Sequence, residues 1–268
     1  MDKRCARCRA VKPRSAFYRN AGWKDGFHPY CKACLLAHQS TRRFAKLDAA
    51  NPERRQWTRR HIVQDYFHVI DNARKAYLLG LLAADGNVLE TPPRVTLELA
   101  MRDRELVELF RDEVAPAVRT KRRPRQSRNG QDYVLLAVTS AQLAADLAKW
   151  GVVPRKTWTY RWPAHLPAEM KRPYLLGHFD GDGFITISRW RDRVYGRWGL
   201  LGTRGFLDSV ADFLCENVGI ARRRPYEKIG VCTLNISGRD AERVDAWLRD
   251  GLDLGLERKI LSRRLDAA

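Results

Sequence analysis

The strongest constraint on this chain is a segment that occurs twice. Tyr77–Gly86 reads Y-L-L-G-L-L-A-A-D-G, and Tyr174–Gly183 reads Y-L-L-G-H-F-D-G-D-G. Each copy reads as a short, nearly all-apolar helix, and a helix with so few polar positions must be buried almost all round. Small residues recur at i,i+4 spacing, Gly80/Ala84 in one copy and Gly177/Gly181 in the other. Such pairs lie on one face and let two backbones approach closely, so the two helices are expected to pack against each other. Gly86 and Gly183 stand where a left-handed glycine closes a helix.

Asp85 and Asp182 then fall in the last turn of each helix, 97 positions apart. That is the unfavourable end for a carboxylate, because the helix carries a partial negative charge there. Two aspartates gathered at one end of a packed pair also repel each other. A divalent cation removes both problems, and hard oxygen ligands suit Mg²⁺. A single Asp-Gly is an ordinary turn dipeptide capping a core helix; two matched copies with similar flanks point to chemistry.

The cores Leu78–Gly86 and Leu175–Gly183 resemble the paired motifs of the LAGLIDADG homing endonucleases, in their single-chain, two-motif form. The resemblance covers residues from about 70 to 268. It implies that Asp85 and Asp182 bind the catalytic Mg²⁺, and that the carbonyls before them, of Ala84 and Gly181, are further metal ligands. The sixth motif position is often acidic in that family; Asp180 keeps this and Ala83 does not. The family cuts both strands across the minor groove to leave short 3′ overhangs, and uses basic residues around the metals. Lys156 and Lys259 are symmetric candidates for that role, with Lys121 and Lys228 as a second pair; Lys156 and Lys259 also suit plain anchoring of the chain after a helix.

The rest of the chain repeats in step with the motifs. After the first, strands are expected at Asn87–Glu90 and Arg94–Leu99, a helix at Asp103–Val114, a basic run at Arg119–Arg128, a turn at Asn129-Gly130, a strand at Tyr133–Thr139 and a helix at Ala141–Trp150. Alternation of Val95, Leu97 and Leu99 with Thr96 and Glu98 carries the strand reading. After the second, strands are expected at Phe184–Trp190, Tyr195–Leu201 and Val231–Ser237, with helices near Phe206–Val218 and Arg239–Leu252. The fold class is therefore α+β: two pseudo-symmetric αββαββα halves, 76–165 and 166–268, behind a small N-terminal module. The resemblance implies the LAGLIDADG endonuclease fold, a saddle with two concave sheets in the major groove.

Cys5-x-x-Cys8 and Cys31-x-x-Cys34 make that module, residues 1–40, a Cys₄ zinc knuckle. Four protein ligands leave no open position, so the Zn²⁺ is structural, and about 40 residues need such a staple. Phe17, Tyr18, Trp23, Phe27 and Tyr30 are expected to pack a mini-core, with a helix from Lys32 to Phe44; His28 and His38 are substitute ligands. Its basic residues favour DNA binding, with a structural cap or a protein contact as the other reading. Cys215 and Cys232 read as buried thiols.

The formal net charge is +19, which points to a polyanion, most simply nucleic acid. Residues 1–76 hold 18 Lys and Arg against 6 Asp and Glu. A connector, residues 41–75, carries Arg42, Arg43, Arg54 and Arg55 and reads as basic helices or an arm along the phosphate backbone, or as a solvated charged helix. Alternation in the strand after motif two turns Thr186 and Ser188 away from the core, with Arg189 near its end; Arg122, Arg125, Arg222 and Arg224 are candidates for guanine or phosphate. The six histidines are scattered and form no His-rich metal hairpin. No apolar stretch approaches the roughly 20 residues needed to span a bilayer, and the N-terminus has no signal core. The expectation is an intracellular monomer that binds double-stranded DNA, uses Mg²⁺ and Zn²⁺, and cuts both strands of a long, specific target. The alternative is a non-cleaving binder on the same scaffold, an RNA maturase or a transcription regulator.

Overall fold

The computed structural model describes residues 2–20, 22–23, 25–35, 61–124, 132–191, 193–228 and 231–267. The chain divides into two compact units, Met1–Arg60 and His61–Ala268. Expectations for Arg42, Arg43, Arg54, Arg55, Arg125, His38, most of the Lys32–Phe44 helix and the Asn129-Gly130 turn lie outside the described residues.

In the first unit, β1 (Asp2–Arg4) pairs with β2 (Val11–Pro13), and β3 (Phe17–Arg19) with β4 (Phe27–Cys31), both antiparallel. The core is smaller than the aromatic content suggests. Cys5, Phe17 and Cys31 are buried, with Phe27 and Tyr30 against them. Tyr18 and Trp23 are 45% and 51% exposed, because two short hairpins enclose too little volume for five aromatic rings.

The second unit follows the expected order twice. The first half runs α1 (Ala73–Ala84), β5 (Gly86–Glu90), β6 (Pro93–Ala100), α2 (Arg104–Val114), β7 (Lys121–Arg123), β8 (Tyr133–Thr139), α3 (Ala141–Lys149). The second runs α4 (Ala168–Asp182), β9 (Gly183–Trp190), β10 (Arg193–Gly202), α5 (Arg204–Val218), β11 (Tyr226–Lys228), β12 (Val231–Ser237), α6 (Arg239–Arg249), with α7 (Leu261–Asp266) after it. Each half forms one antiparallel sheet, ordered β5-β6-β8-β7 and β9-β10-β12-β11. The sheets bury Val95, Leu97, Leu99, Leu136 and Val138 in one half, and Ile185, Trp198, Leu200, Leu234 and Ile236 in the other. The opposite faces stay open.

Residues 61–72, expected as the end of a basic arm, belong to this core. Ile62, Tyr66, Phe67 and Ile70 are buried, and Trp150 Nε1 donates to the Phe67 carbonyl at 2.8 Å. Their apolar residues outweigh the charges that flank them. Cys215 and Cys232 are half-buried rather than fully buried. Among the described residues, no helix is long and apolar enough to cross a membrane.

Candidate functional site

Helices α1 and α4 pack backbone to backbone. A Cβ on Gly80 would lie 2.0 Å from the Tyr174 carbonyl oxygen, and one on Gly177 would lie 1.9 Å from that of Tyr77. Only glycine fits at either position, and the two contacts are reciprocal. The glycines that end the motifs do something different from what their place suggests. Gly183 is extended, at φ −86° and ψ 160°, and neither it nor Gly86 has positive φ. Each begins a strand, and each is glycine for lack of room. A Cβ on Gly86 would meet the Leu82 carbonyl oxygen at 2.4 Å, and one on Gly183 the Phe179 ring at 2.1 Å.

This packing brings the helix ends together. A Cβ on Gly181 would stand 2.4 Å from the Ala84 Cβ and 2.9 Å from Asp85 Oδ2. The Asp85 carboxyl therefore lies beside the peptide that leads into Asp182. Asp182 ends α4 and Asp85 caps α1. By surface area Asp85 is exposed and Asp182 is half-buried, yet both carboxyls are crowded on their inner side. Burial raises the Asp182 pKa, the Asp85 charge adds to it, and Lys156 and Lys259 oppose it; the result is pushed up to about 6. Burial also raises that of Asp85, against Lys259 and Lys156.

Lys156 and Lys259 occupy matching places. Each is nearly buried, and each ammonium binds carbonyls at the end of a motif helix. Lys156 Nζ donates to Gly86 O at 2.5 Å and Ala84 O at 3.3 Å. Lys259 Nζ donates to the carbonyls of Phe179, Asp180, Gly181 and Gly183 at 3.0, 2.7, 3.1 and 2.7 Å. Burial pushes both ammoniums down, Lys259 to about 8. They cap the negative ends of the two helices where the aspartates sit. Lys121 and Lys228 do not form a matching pair. Strand register aligns Lys121 with Tyr226, and Lys228 with Arg123.

The donor set fits a hard divalent cation. It comprises two adjacent carboxyls, held above the usual carboxylate range by burial, and the carbonyls of Ala84 and Gly181. A carbonyl oxygen has two lone pairs, so an ammonium contact does not exhaust it. A cavity of about 390 Å³ opens beside Asp85, Gly181 and Lys259, walled by Asp103 and Arg258.

Two interactions that sequence reasoning missed tie the halves together at this point. Arg258 donates two hydrogen bonds to Asp103, at 2.5 and 2.6 Å, across 155 positions. Tyr77 donates to Asp180 at 2.7 Å, and Leu256 N adds a bond of 3.0 Å to the same oxygen. In the other motif Ala83 offers no carboxylate, and Tyr174 pairs with the Tyr160 hydroxyl instead. The acidic sixth position was legible; its tyrosine partner on the other helix was not. His178 is a buried core histidine stacked 4.3 Å from Phe206, with its pKa driven down to about 3 by burial.

The candidate DNA contacts separate by strand parity. Thr186 and Ser188 are on the outward face of β9, as expected. Arg189 is exposed but shares the parity of Ile185 and Ile187. Arg122 has the parity of the core face and pairs with Asp132; Arg222 is held by Asp208 and Asp212 off the sheet. Arg224 is exposed. The outward residues that alternation alone did not single out include Arg94, Glu98 and Arg123 on one sheet, and Arg197, Tyr226 and Asn235 on the other.

No protein-family model and no curated protein matches the chain. Solved structures do. The homing endonuclease I-WcaI, bound to its DNA recognition sequence, aligns with TM-score 0.53 at 11% identity over 74% of this chain and 92% of that one. The fold is that of the LAGLIDADG endonucleases. The meganuclease I-AabMI bound to uncleaved DNA aligns with TM-score 0.48 and 13% identity over 74% and 90% of the two chains. Full-length DUF199/WhiA aligns with TM-score 0.44 and 13% identity over 76% and 63%.

The first unit brings its four expected cysteines together. The sulfurs of Cys5, Cys8, Cys31 and Cys34 all lie within 4.8 Å of one another. Burial opposes ionisation of Cys5, but the backbone N–H groups of Cys31, Cys8 and Arg7 outweigh it and bring the thiol down to about 6. Cys34 is pushed up to about 12, first by its hydrogen bond with Cys31. Lys12 Nζ lies 3.6 Å from the Cys31 sulfur. Such a cluster suits a tetrahedral soft-ligand cation. His28 is not part of it; its Nδ1 accepts from the Tyr30 N–H at 3.1 Å.

Proposed function

We propose that this protein is a sequence-specific DNA endonuclease that hydrolyses both strands of a long duplex with divalent metal ions. One observation carries the reading: the Asp85 carboxyl lies against the Gly181–Asp182 peptide, so that two acids from two halves meet at one point. A purely structural role for that meeting is disfavoured, since burial and mutual repulsion raise the carboxyl pKa of Asp182 to about 6. The +19 charge and the open faces of two sheets supply a surface for the duplex.

In this reading Asp85 and Asp182 hold the metal, helped by the carbonyls of Ala84 and Gly181. The chemistry that bound Mg²⁺ supplies is a water of lowered pKa and stabilisation of the charge developing on phosphate and leaving oxygen. Lys156 and Lys259 position the aspartates by neutralising the helix ends beneath them. Each half contributes one aspartate, so a single chain completes the centre and each strand has its own site. The cysteine cluster holds one structural Zn²⁺, and its module adds positive charge for the DNA.

The test is incubation of the full chain with a randomised duplex library and Mg²⁺, with EDTA as control. Recovery of cut ends at one sequence, lost with EDTA or with Asp85→Asn, is the expected outcome. Specific binding with no cutting in Mg²⁺ leaves a non-cleaving binder on the same scaffold.

A further inference from the structure

The two open sheet faces differ in chemistry at matched positions. On the second sheet a cavity of about 340 Å³ is lined by Phe184, Leu201, Val231, Tyr226, Asn235 and Arg197, among others. Its floor depends on a glycine. Gly199 pairs with Phe184 on one side and Asn235 on the other, and a Cβ on it would stand 2.2 Å from the Phe184 ring. The ring therefore lies against the backbone of β10 at Gly199. Leu201 and Val231 continue the apolar surface, and Val231 is 41% exposed. Asn235 Nδ2 donates to the Tyr226 hydroxyl at 2.5 Å, and its Oδ1 is buried beneath the lining. The lining holds one cation, Arg197, and no acid.

The first sheet carries different side chains at the matched positions, with Tyr133 standing where the second sheet has Val231. Register places Asn87 where the second sheet has Phe184, Thr96 for Gly199, Glu98 for Leu201, Ala137 for Asn235 and Lys121 for Tyr226. Glu98 is paired there with Arg123 at 3.1 Å.

We propose that the pocket on the second sheet reads thymine through its 5-methyl group, and that the first sheet lacks this readout. The proposal rests on the DNA-binding reading above. In the major groove the thymine 5-methyl is the apolar group that distinguishes an A·T pair from a G·C pair. The apolar floor of Phe184, Leu201 and Val231 complements that methyl group. Arg197, the one charge in the lining, suits the phosphate-rich surroundings. The target is then non-palindromic, with at least one obligatory A·T pair on one side of the cut.

The experiment removes one methyl group at a time. Duplexes are selected from a random pool on the full chain in Ca²⁺, so that binding is read apart from cutting. Each thymine of the recovered target is then replaced by deoxyuridine. The expected result is one or two positions, confined to one half-site, where uracil weakens binding about three- to tenfold, in line with the burial of one methyl. At those positions Val231→Ala, an exposed truncation, should bring the thymine-to-uracil ratio close to one while other positions keep theirs. Uniform indifference to uracil overturns the proposal, as does a thymine preference that survives both Val231→Ala and Leu201→Ala. A protein that selects no duplex at all overturns the DNA-binding reading itself, and this proposal with it.

Discussion

Tyr77 on the first motif helix donates to Asp180 on the second, at 2.7 Å, in a site that excludes water. The other carboxyl oxygen of Asp180 makes no hydrogen bond, and the Arg249 guanidinium lies 3.9 Å from it. Tyr77→Phe therefore leaves a buried acid with the Leu256 N–H as its remaining donor. The expected cost is about 1–3 kcal/mol by urea denaturation. Tyr174→Phe should cost less, because the partner it leaves is a neutral hydroxyl, that of Tyr160.

The helix seam tolerates no side chain at its two central glycines. Gly177→Ala would drive a methyl to 1.9 Å from the Tyr77 carbonyl oxygen. Backbone against backbone cannot yield locally, so the helices must separate, at about 3 kcal/mol or more. Gly205→Ala is the control. Its methyl would meet only the flexible Arg161 guanidinium, at 3.4 Å, within a helix. That variant should melt at or above the wild-type temperature by circular dichroism.

The aspartate pair should destabilise the metal-free protein. The folded pKa of Asp182, about 6, exceeds that of an unfolded aspartate, so the folded state binds the extra proton between about pH 4 and 6. Asp182 therefore costs stability above about pH 6, and the cost fades as pH falls toward 4. In EDTA, Asp182→Asn should be more stable than wild type by about 1 kcal/mol at pH 7.5, after allowance for solvent screening. The gap should close near pH 4. A melting-temperature series that shows a constant or reversed gap would contradict the shared-charge geometry.

Cleavage at limiting Mg²⁺ should follow a bell. On the proposed function, Asp182 takes up a proton below about pH 6 and would release metal; above about pH 8 Lys259 loses the positive charge that offsets the helix end and the carbonyls around it. Saturating Mg²⁺ should move the acid limb to lower pH, since metal and proton compete for one carboxyl. Single-turnover rates against pH at two Mg²⁺ concentrations check this, and a limb that ignores Mg²⁺ would refute the competition.

The N-terminal unit should depend on metal for its fold. The purified chain is expected to hold about one zinc, released by a strong chelator together with loss of protease resistance in residues 2–35 alone. Cys31→Ser should mimic the chelator. Cys232→Ser, half-buried and remote in sequence from the cluster, should retain the metal.

The element order, three strands of each sheet and the cysteine tetrad were legible because each rests on local periodicity or fixed spacing, whereas β7 and β11 are three-residue edge strands too short to carry a pattern. Strand ends shifted by one or two residues, as with Arg193–Gly202 against the expected Tyr195–Leu201. Charge alone did not show where two candidate arginines stand: Arg189 follows the inward series of β9, and Arg122 pairs with Asp132. The motif glycines were rightly seen as tight, but two were assigned to a turn that the backbone does not make.

The repeated motif, read from the chain alone, determined that two helices would meet through small residues and carry one acid each, because spacing on a helix dictates which residues share a face. Only the tertiary structure decided how the two halves differ. Tyr77 finds Asp180 where Tyr174 finds a hydroxyl, Arg258 reaches Asp103, and Phe184 settles over Gly199 where Asn87 faces Thr96. Such contacts join residues up to 155 positions apart, and no local pattern encodes which distant side chain will fill the space that another leaves.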